Sequence, residues 1–354
     1  MPKKFWVIFL IVGLIIAALF GGPAIWERIK PQPKYLIMGF FENGWSPMHG
    51  SSLPSLKRNS GMLDYVSPLW LTVKMDGSIE KKHNQKAMDI AREADIPVVV
   101  LINNEKDVIP NNDAMLTNAE ARERSIAGII EAVNKYDYDG INIDYEILPP
   151  EDRELLTYYV QELSRALHPR KKKVFVSVFP RRGVHYDLHG VYDYAALAEI
   201  ADYIVVMAYN EHYPASNPGP IASAGWVKDN IEDALLDVDA KKILLGIATY
   251  GYDWPGAVAG TMETVDYIPM KEAARRAQEN KIAVKWDNQS DEPYFNYYEN
   301  DLKRAVWYEN VESIKPKLKM AKDYGLSGIA IWRLGFEDNL LWDVIGEEFR
   351  RAGK

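Results

Sequence analysis

Cysteine is absent from all 354 residues, so disulfide staples, thiolate metal sites and a cysteine nucleophile are excluded. Histidine is scarce. His49, His83, His168, His185, His189 and His212 include no HExxH pair, and Asp187 and Gly190 mark the 185–189 stretch as a loop, so no metal and no cofactor is expected. No GxSxG elbow of a serine hydrolase occurs, and no Gly-rich phosphate turn follows any apolar run. A basic surplus is missing as well. Lys+Arg number 42 against 50 Asp+Glu, a net charge of −8, so nothing offsets a phosphate backbone and no nucleic acid partner is expected. What remains is an ordinary globular composition, 47% hydrophobic and 26% charged, outside the range of disordered, collagen-like or multi-span membrane chains.

One long uncharged run stands out, Phe5–Ile25, after Lys3 and Lys4. At 1.5 Å per residue, about 20 such residues cross a hydrocarbon core of roughly 30 Å. The apolar core of a signal peptide is shorter, about 7–15 residues, and Ala17-Ala18-Leu19-Phe20-Gly21-Gly22 is a weak cleavage match. Residues 1–30 are therefore expected to be an N-terminal transmembrane helix, with a cleaved signal peptide as the alternative. Arg28, Lys30 and Lys34 after the run balance Lys3 and Lys4 before it, so charge barely sets the orientation. Pro31-Gln32-Pro33 makes a short stiff tether, and residues 31–354 form the body.

From residue 35 short apolar, β-branched runs recur: 35–40, 65–73, 97–102, 139–146, 174–179, 203–209, 243–249 and 327–332. Helical spacing fills most of the gaps; Leu155, Leu156, Tyr159, Val160, Leu163 and Leu167 fall on one face, with Pro149-Pro150 where a helix would begin. Strand and helix alternating roughly every 30–40 residues is the mark of βα units and a parallel sheet. Eight strands, with no Gly-rich turn after the first, favour a closed (β/α)8 TIM barrel over an open doubly wound sheet. The last interval is about twice the others. Residues 253–312 read as a small α+β insertion between strand 7 and helix 7, with a helix at 270–279 and strand-like pieces around 283–286, 294–298 and 305–308. It sits on the side of the barrel that builds the active-site face, and is expected to wall one side of a cleft.

The chemistry concentrates at the fourth strand, Asp139-Gly140-Ile141-Asn142-Ile143-Asp144-Tyr145-Glu146. Alternate side chains share a face, so Asn142, Asp144 and Glu146 point inward while Ile141, Ile143 and Tyr145 pack outward beneath the helices. Burying two carboxylates is costly unless they are paired or used. Two so close repel, and one is expected to hold its proton to higher pH, as a general acid requires.

These eight residues resemble the DGxDxDxE signature of family 18 glycoside hydrolases, the chitinase-like (β/α)8 enzymes, and the resemblance covers nearly all of the chain beyond the anchor. Met207-Ala208-Tyr209-Asn210 is similar to the family's Met-x-Tyr-Asp, and Trp332 to the tryptophan that floors the sugar site. Pro68-Leu69-Trp70, Trp307-Tyr308-Glu309-Asn310 and Ile331-Trp332-Arg333-Leu334-Gly335 are similar to the bacterial subgroup of spore cortex-lytic, peptidoglycan-directed N-acetylglucosaminidases. The resemblance implies retaining hydrolysis in which the substrate's 2-acetamido group is the nucleophile. It implies Glu146 as general acid/base, Asp144 and Tyr209 as orienters of the acetamide, and Trp332 beneath the sugar. Met207, Asn142, Asn210 and Glu211 join the expected substrate-binding set, and Asp139 is expected to anchor the strand.

Two positions depart from the pattern. Asn142 and Asn210 stand where many chitinases carry Asp. An amide at 142 can bond but cannot carry charge, so activity with an altered pH profile is expected. The expected function is a membrane-anchored, extracytoplasmic hydrolase of N-acetylglucosamine-containing polysaccharide, peptidoglycan first and chitin oligosaccharides second. The rival reading is a catalytically weak or silent glycan-binding lectin. Trp45, Trp70, Trp254 and Trp286 are candidates for further sugar subsites, though packing is the commoner use of a barrel tryptophan. The run 170–173 reads as a solvated turn.

Overall fold

The computed structural model describes residues 35–105, 113–256 and 264–349. The run Phe5–Ile25, read above as a transmembrane helix, lies outside them; among the described residues no helix is long and apolar enough to cross a membrane.

The strands are β1 (Leu36–Phe41), β2 (Tyr65–Val73), β3 (Ile79–Lys81), β4 (Val99–Asn104), β5 (Gly140–Asp144), β6 (Lys173–Val178), β7 (Tyr203–Val206), β8 (Ile243–Ala248), β9 (Tyr250–Pro255), β10 (Asp266–Pro269), β11 (Lys285–Asp287), β12 (Glu292–Glu299), β13 (Leu302–Tyr308) and β14 (Gly328–Trp332). All of these except β3 and β9–β13 pair in parallel around a ring, β1-β2-β4-β5-β6-β7-β8-β14, which closes where β14 meets β1. This closed eight-stranded parallel barrel has each strand within a few residues of an apolar run in the sequence. β3 adds an antiparallel edge to the far end of β2.

Helices follow the strands: α1 (Leu53–Asn59), α2 (Gln85–Glu93), α3 (Ala114–Thr117), α4 (Ala119–Tyr136), α5 (Arg153–Leu167), α6 (Tyr186–His189), α7 (Tyr194–Ile200), α8 (Ala224–Ala234), α9 (Met270–Glu279), α10 (Val311–Asp323) and α11 (Leu340–Phe349). Leu156, Tyr159, Val160, Leu163 and Leu167 form the buried stripe of α5, as the 3.6-residue spacing requires.

Alternation along each strand makes two cores. Met38, Phe40, Val99, Leu101, Phe175, Val205, Leu244 and Ala330 fill the barrel interior, while Ile141, Ile143 and Tyr145 belong to the layer between strands and helices. The interior side chains form a packed plug rather than a channel. Between β8 and α10 lies a second, five-stranded antiparallel sheet, β10-β9-β13-β12-β11. It begins at Tyr250, three residues ahead of the boundary at 253. Phe295, Tyr297, Val306 and Tyr308 on one face pack against Ala273 and Ala277 of α9.

Candidate active site

At the C-terminal end of the barrel strands a cavity of about 330 Å³ is walled by Asp144 at the end of β5 and Glu146 just past it, Phe179 beyond β6, and Met207, Tyr209, Asn210 and Pro214 beyond β7. Phe40 and Trp332 come from β1 and β14; the antiparallel sheet adds Tyr250, Tyr252 and Tyr267. Six expected site residues (Asp144, Glu146, Met207, Tyr209, Asn210 and Trp332) thus meet in one concave space.

The local chain dictates where each one points. Asp144 is buried at the last residue of β5, and Glu146 lies one full alternation farther along, half-buried at the mouth. Tyr209 is 8% exposed and packs close to β8. A Cβ on Gly246 would stand 2.9 Å from its ring and 2.7 Å from the Val206 carbonyl, so only glycine lets this tyrosine seat. Burial first, then the neighbouring charges of Asp144 and Glu146, push the Tyr209 hydroxyl well above its ordinary range. Tyr209 therefore keeps its proton and stays a hydrogen-bond donor. The Trp332 indole N–H donates to the Tyr267 hydroxyl at 3.0 Å, and its ring meets the edge of Phe40 at 5.2 Å. The His49 ring in turn bonds the Tyr267 carbonyl at 2.6 Å.

Asn210 adopts a left-handed backbone, φ +65°, a conformation asparagine tolerates better than most residues. Its side-chain oxygen accepts from the Tyr250 and Tyr252 hydroxyls at 2.5 and 2.9 Å. The amide is thereby fixed in the wall with its oxygen taken.

Three expected residues lie elsewhere. Asn142, two residues deeper along β5, is fully buried one layer below the cavity. Its amide donates to Ser67 at 3.4 Å, and the Ser177 hydroxyl sits 3.1 Å from its nitrogen and 3.2 Å from its oxygen. Glu211 accepts from the Ser223 N–H at 2.6 Å, at the start of α8, and is not among the cavity walls. Asp139 sits at the opposite end of β5, accepting from the Val98 N–H at 2.8 Å, a structural anchor. Among the tryptophans, Trp70 and Trp254 are buried in packing. Trp45 is 53% exposed and stacks on His49, 4.8 Å between ring centres; Trp286 lies half-exposed on β11. Among the described residues no cluster could hold a metal ion.

Sequence reasoning missed Tyr250, Tyr252 and Tyr267. Their signal was present in part: Tyr250-Gly251-Tyr252-Asp253-Trp254 alternates aromatic and small or polar residues, a strand pattern that starts one residue after β8 and reads as its continuation.

The family model of glycosyl hydrolases family 18 matches residues 34–337. Among curated proteins, the uncharacterized glycosylase YvbX of Bacillus subtilis (strain 168) is 28% identical over 85% of this chain and 89% of its own length. The cortical fragment-lytic enzyme of the same organism is 29% identical over 68% of this chain, which spans 56% of that relative. Among solved structures, the spore cortex-lytic enzyme SleL of Bacillus megaterium QM B1551 superposes with a TM-score of 0.80 at 25% identity, covering 90% of this chain and 75% of the other.

Proposed function

Since the chain belongs to glycosyl hydrolase family 18 and is a glycosidase, we propose that it cleaves β-1,4 bonds at N-acetylglucosamine in cell-wall glycan by a retaining, substrate-assisted route. Peptidoglycan, including spore cortex, is the first substrate, in keeping with the names of the relatives; chitin oligosaccharides come second. One observation carries the reading: Asp144, Glu146, Tyr209 and Trp332 line the same cavity.

In this mechanism the Glu146 carboxyl gives its proton to the glycosidic oxygen as the bond from that oxygen to C1 breaks. The acetamide carbonyl oxygen of the same sugar closes on C1, forming an oxazolinium ion. Asp144 accepts from the acetamide N–H as positive charge develops there. Tyr209, held protonated, donates to the carbonyl oxygen and keeps it in line. Glu146, now carboxylate, takes a proton from the water that reopens the ring, so configuration at C1 is retained. Trp332, tethered by Tyr267, offers the apolar floor. Holding the internal nucleophile in line supplies several kcal/mol of the barrier, and the positioned acid a further factor of about 10²–10⁴.

The test compares the parent with Glu146→Gln on cortex-type peptidoglycan and chitin oligosaccharides. Reducing ends released by the parent are expected to fall at least about a hundredfold in the variant. Glycan binding without turnover in both proteins would replace the enzyme by a lectin. We further propose that the barrel works outside the cytoplasm, anchored through Phe5–Ile25. The support is that uncharged run and the extracytoplasmic site of wall glycan. Loss of the protein from the membrane fraction on deleting residues 1–30 is the expected result, and an unchanged distribution would refute the anchor.

A further inference from the structure

Resting on that reading, we propose that Asn104 and Tyr192 are positioning residues that hold Glu146 in its reactive place. The need arises from the barrel itself. Pairing of β5 with β4 ends at Asn103 and Asp144, and its pairing with β6 ends at Ile143 and Val176. Tyr145 and Glu146 thus lie beyond the ladder, where the backbone has lost the partners that fix a strand. Asn104, the last residue of β4, takes over. Its side-chain oxygen accepts from the Glu146 N–H at 2.9 Å, and its side-chain nitrogen donates to the Glu146 carbonyl at 3.0 Å. On the other side the Tyr192 hydroxyl donates to the Tyr145 carbonyl at 2.7 Å.

Asn104 and Tyr192 are each 1% exposed and neither is among the cavity walls, so neither meets the sugar. Directly after Glu146 the chain turns through Ile147 at φ +58°, a conformation that β-branched residues rarely adopt. The double amide bond and the tyrosine hydroxyl hold the backbone up to the edge of that turn. With the clamp gone, the turn relaxes and carries the Glu146 carboxyl away from the glycosidic oxygen. A displacement of about 1 Å is worth roughly a hundredfold in rate.

A matched control exists in the same molecule. Asn230 clamps Arg182 in the same way, accepting from its N–H at 2.8 Å and donating to its carbonyl at 3.1 Å. Asn230 is also 1% exposed, and Arg182 is not among the cavity walls.

The experiment compares full-length parent, Asn104→Ala, Tyr192→Phe and Asn230→Ala on an N-acetylglucosamine oligosaccharide and on its 4-nitrophenyl glycoside, whose leaving group departs without protonation. Asn104→Ala is expected to lower kcat/KM on the oligosaccharide at least about tenfold with KM within about threefold, and to recover most of that kcat/KM loss on the nitrophenyl substrate, because kcat/KM reports bond cleavage and not the later water step. Tyr192→Phe moves the same way by a smaller factor. Asn230→Ala loses thermal stability as Asn104→Ala does, but keeps kcat within about twofold on both substrates. Should Asn104→Ala not fold, Asn104→Asp, which keeps the acceptor and loses the donor, is expected to give the same substrate-dependent loss. An Asn104 variant with the parent's kcat/KM, or with equal losses of kcat/KM on both substrates, overturns the proposal. A parent that turns over neither substrate overturns the functional reading, and the positioning role with it.

Discussion

Asp152 opens α5, a short distance beyond Glu146, with its carboxyl beside that of Asp113. Burial, then the charge and hydrogen bond of Asp113, push it up to about 6. A carboxyl raised on folding binds more protons in the native state, so stability falls as pH rises between the unfolded value, about 4, and the folded one, and is level above. Asp152→Asn is therefore expected to be more stable than the parent to thermal unfolding at pH 7, by about 1 kcal/mol after solvent screening, and to match it near pH 4. A gap that stays constant across pH would mean that the carboxyl pair is not its source. The same paragraph of sequence shows what single residues reveal. Carboxylates at alternate positions announce a shared face, and Asp144 and Glu146 do line the cavity, because alternation is a local rule. Asn142 obeys it too, yet falls a layer too deep, since pattern fixes the face and not the height. Asn104 was illegible because its partner is set by the packing of two strands.

Asp64, Asp139 and Asp202 each stand one residue ahead of a strand, β2, β5 and β7. Their carboxylates accept the N–H groups of Ile37 on β1, Val98 one residue ahead of β4 and Val174 on β6 at 3.0, 2.8 and 2.9 Å. Three times the barrel uses a carboxylate to close the end of a parallel ladder, where an N–H would otherwise be stranded. At Asp202 burial works upward, but the Lys173 hydrogen bond, the Val174 N–H and His168 outweigh it and lower the carboxyl. A lowered carboxylate stabilises the fold above its unfolded value, about 4, and that stabilisation is lost as pH falls through the folded value. Asp202→Asn is expected to cost about 1 kcal/mol in urea unfolding at pH 7 and progressively less toward pH 3; an equal cost at both ends would rule out the charge. At this scale the eight barrel strands were legible, for each is a compact apolar run bounded by turn residues. The start of the small sheet was not: only Thr249 separates β8 from β9, and residues 250–252 fell between the apolar run 243–249 and the insertion boundary at 253.

The small sheet and the barrel are joined by a buried trio, Glu292 on β12, Glu309 after β13 and Lys317 on α10, none more than 2% exposed. Lys317 pairs with Glu309 and lies 3.4 Å from Glu292, whose carboxylate also accepts the N–H groups of Ile221 and Ala222 at 2.8 and 2.7 Å. Burial, and then the charge of Glu309, push Glu292 upward against Lys317. Lys317→Met would leave two carboxylates facing each other in the interior, and is expected to cost about 3–5 kcal/mol in urea unfolding; a loss under about 1 kcal/mol would mean that the trio does not bind the halves together. The ring of strands has a different consequence. Leu36 pairs with Gly328, so although β1 meets β2 early, its other edge waits until the chain has been made through β14. At about 5–20 residues per second that wait is roughly 15–60 s. The strand that ends it also delivers Trp332. Until β14 is made, the ring cannot close onto β1 and the cavity lacks Trp332 from its wall.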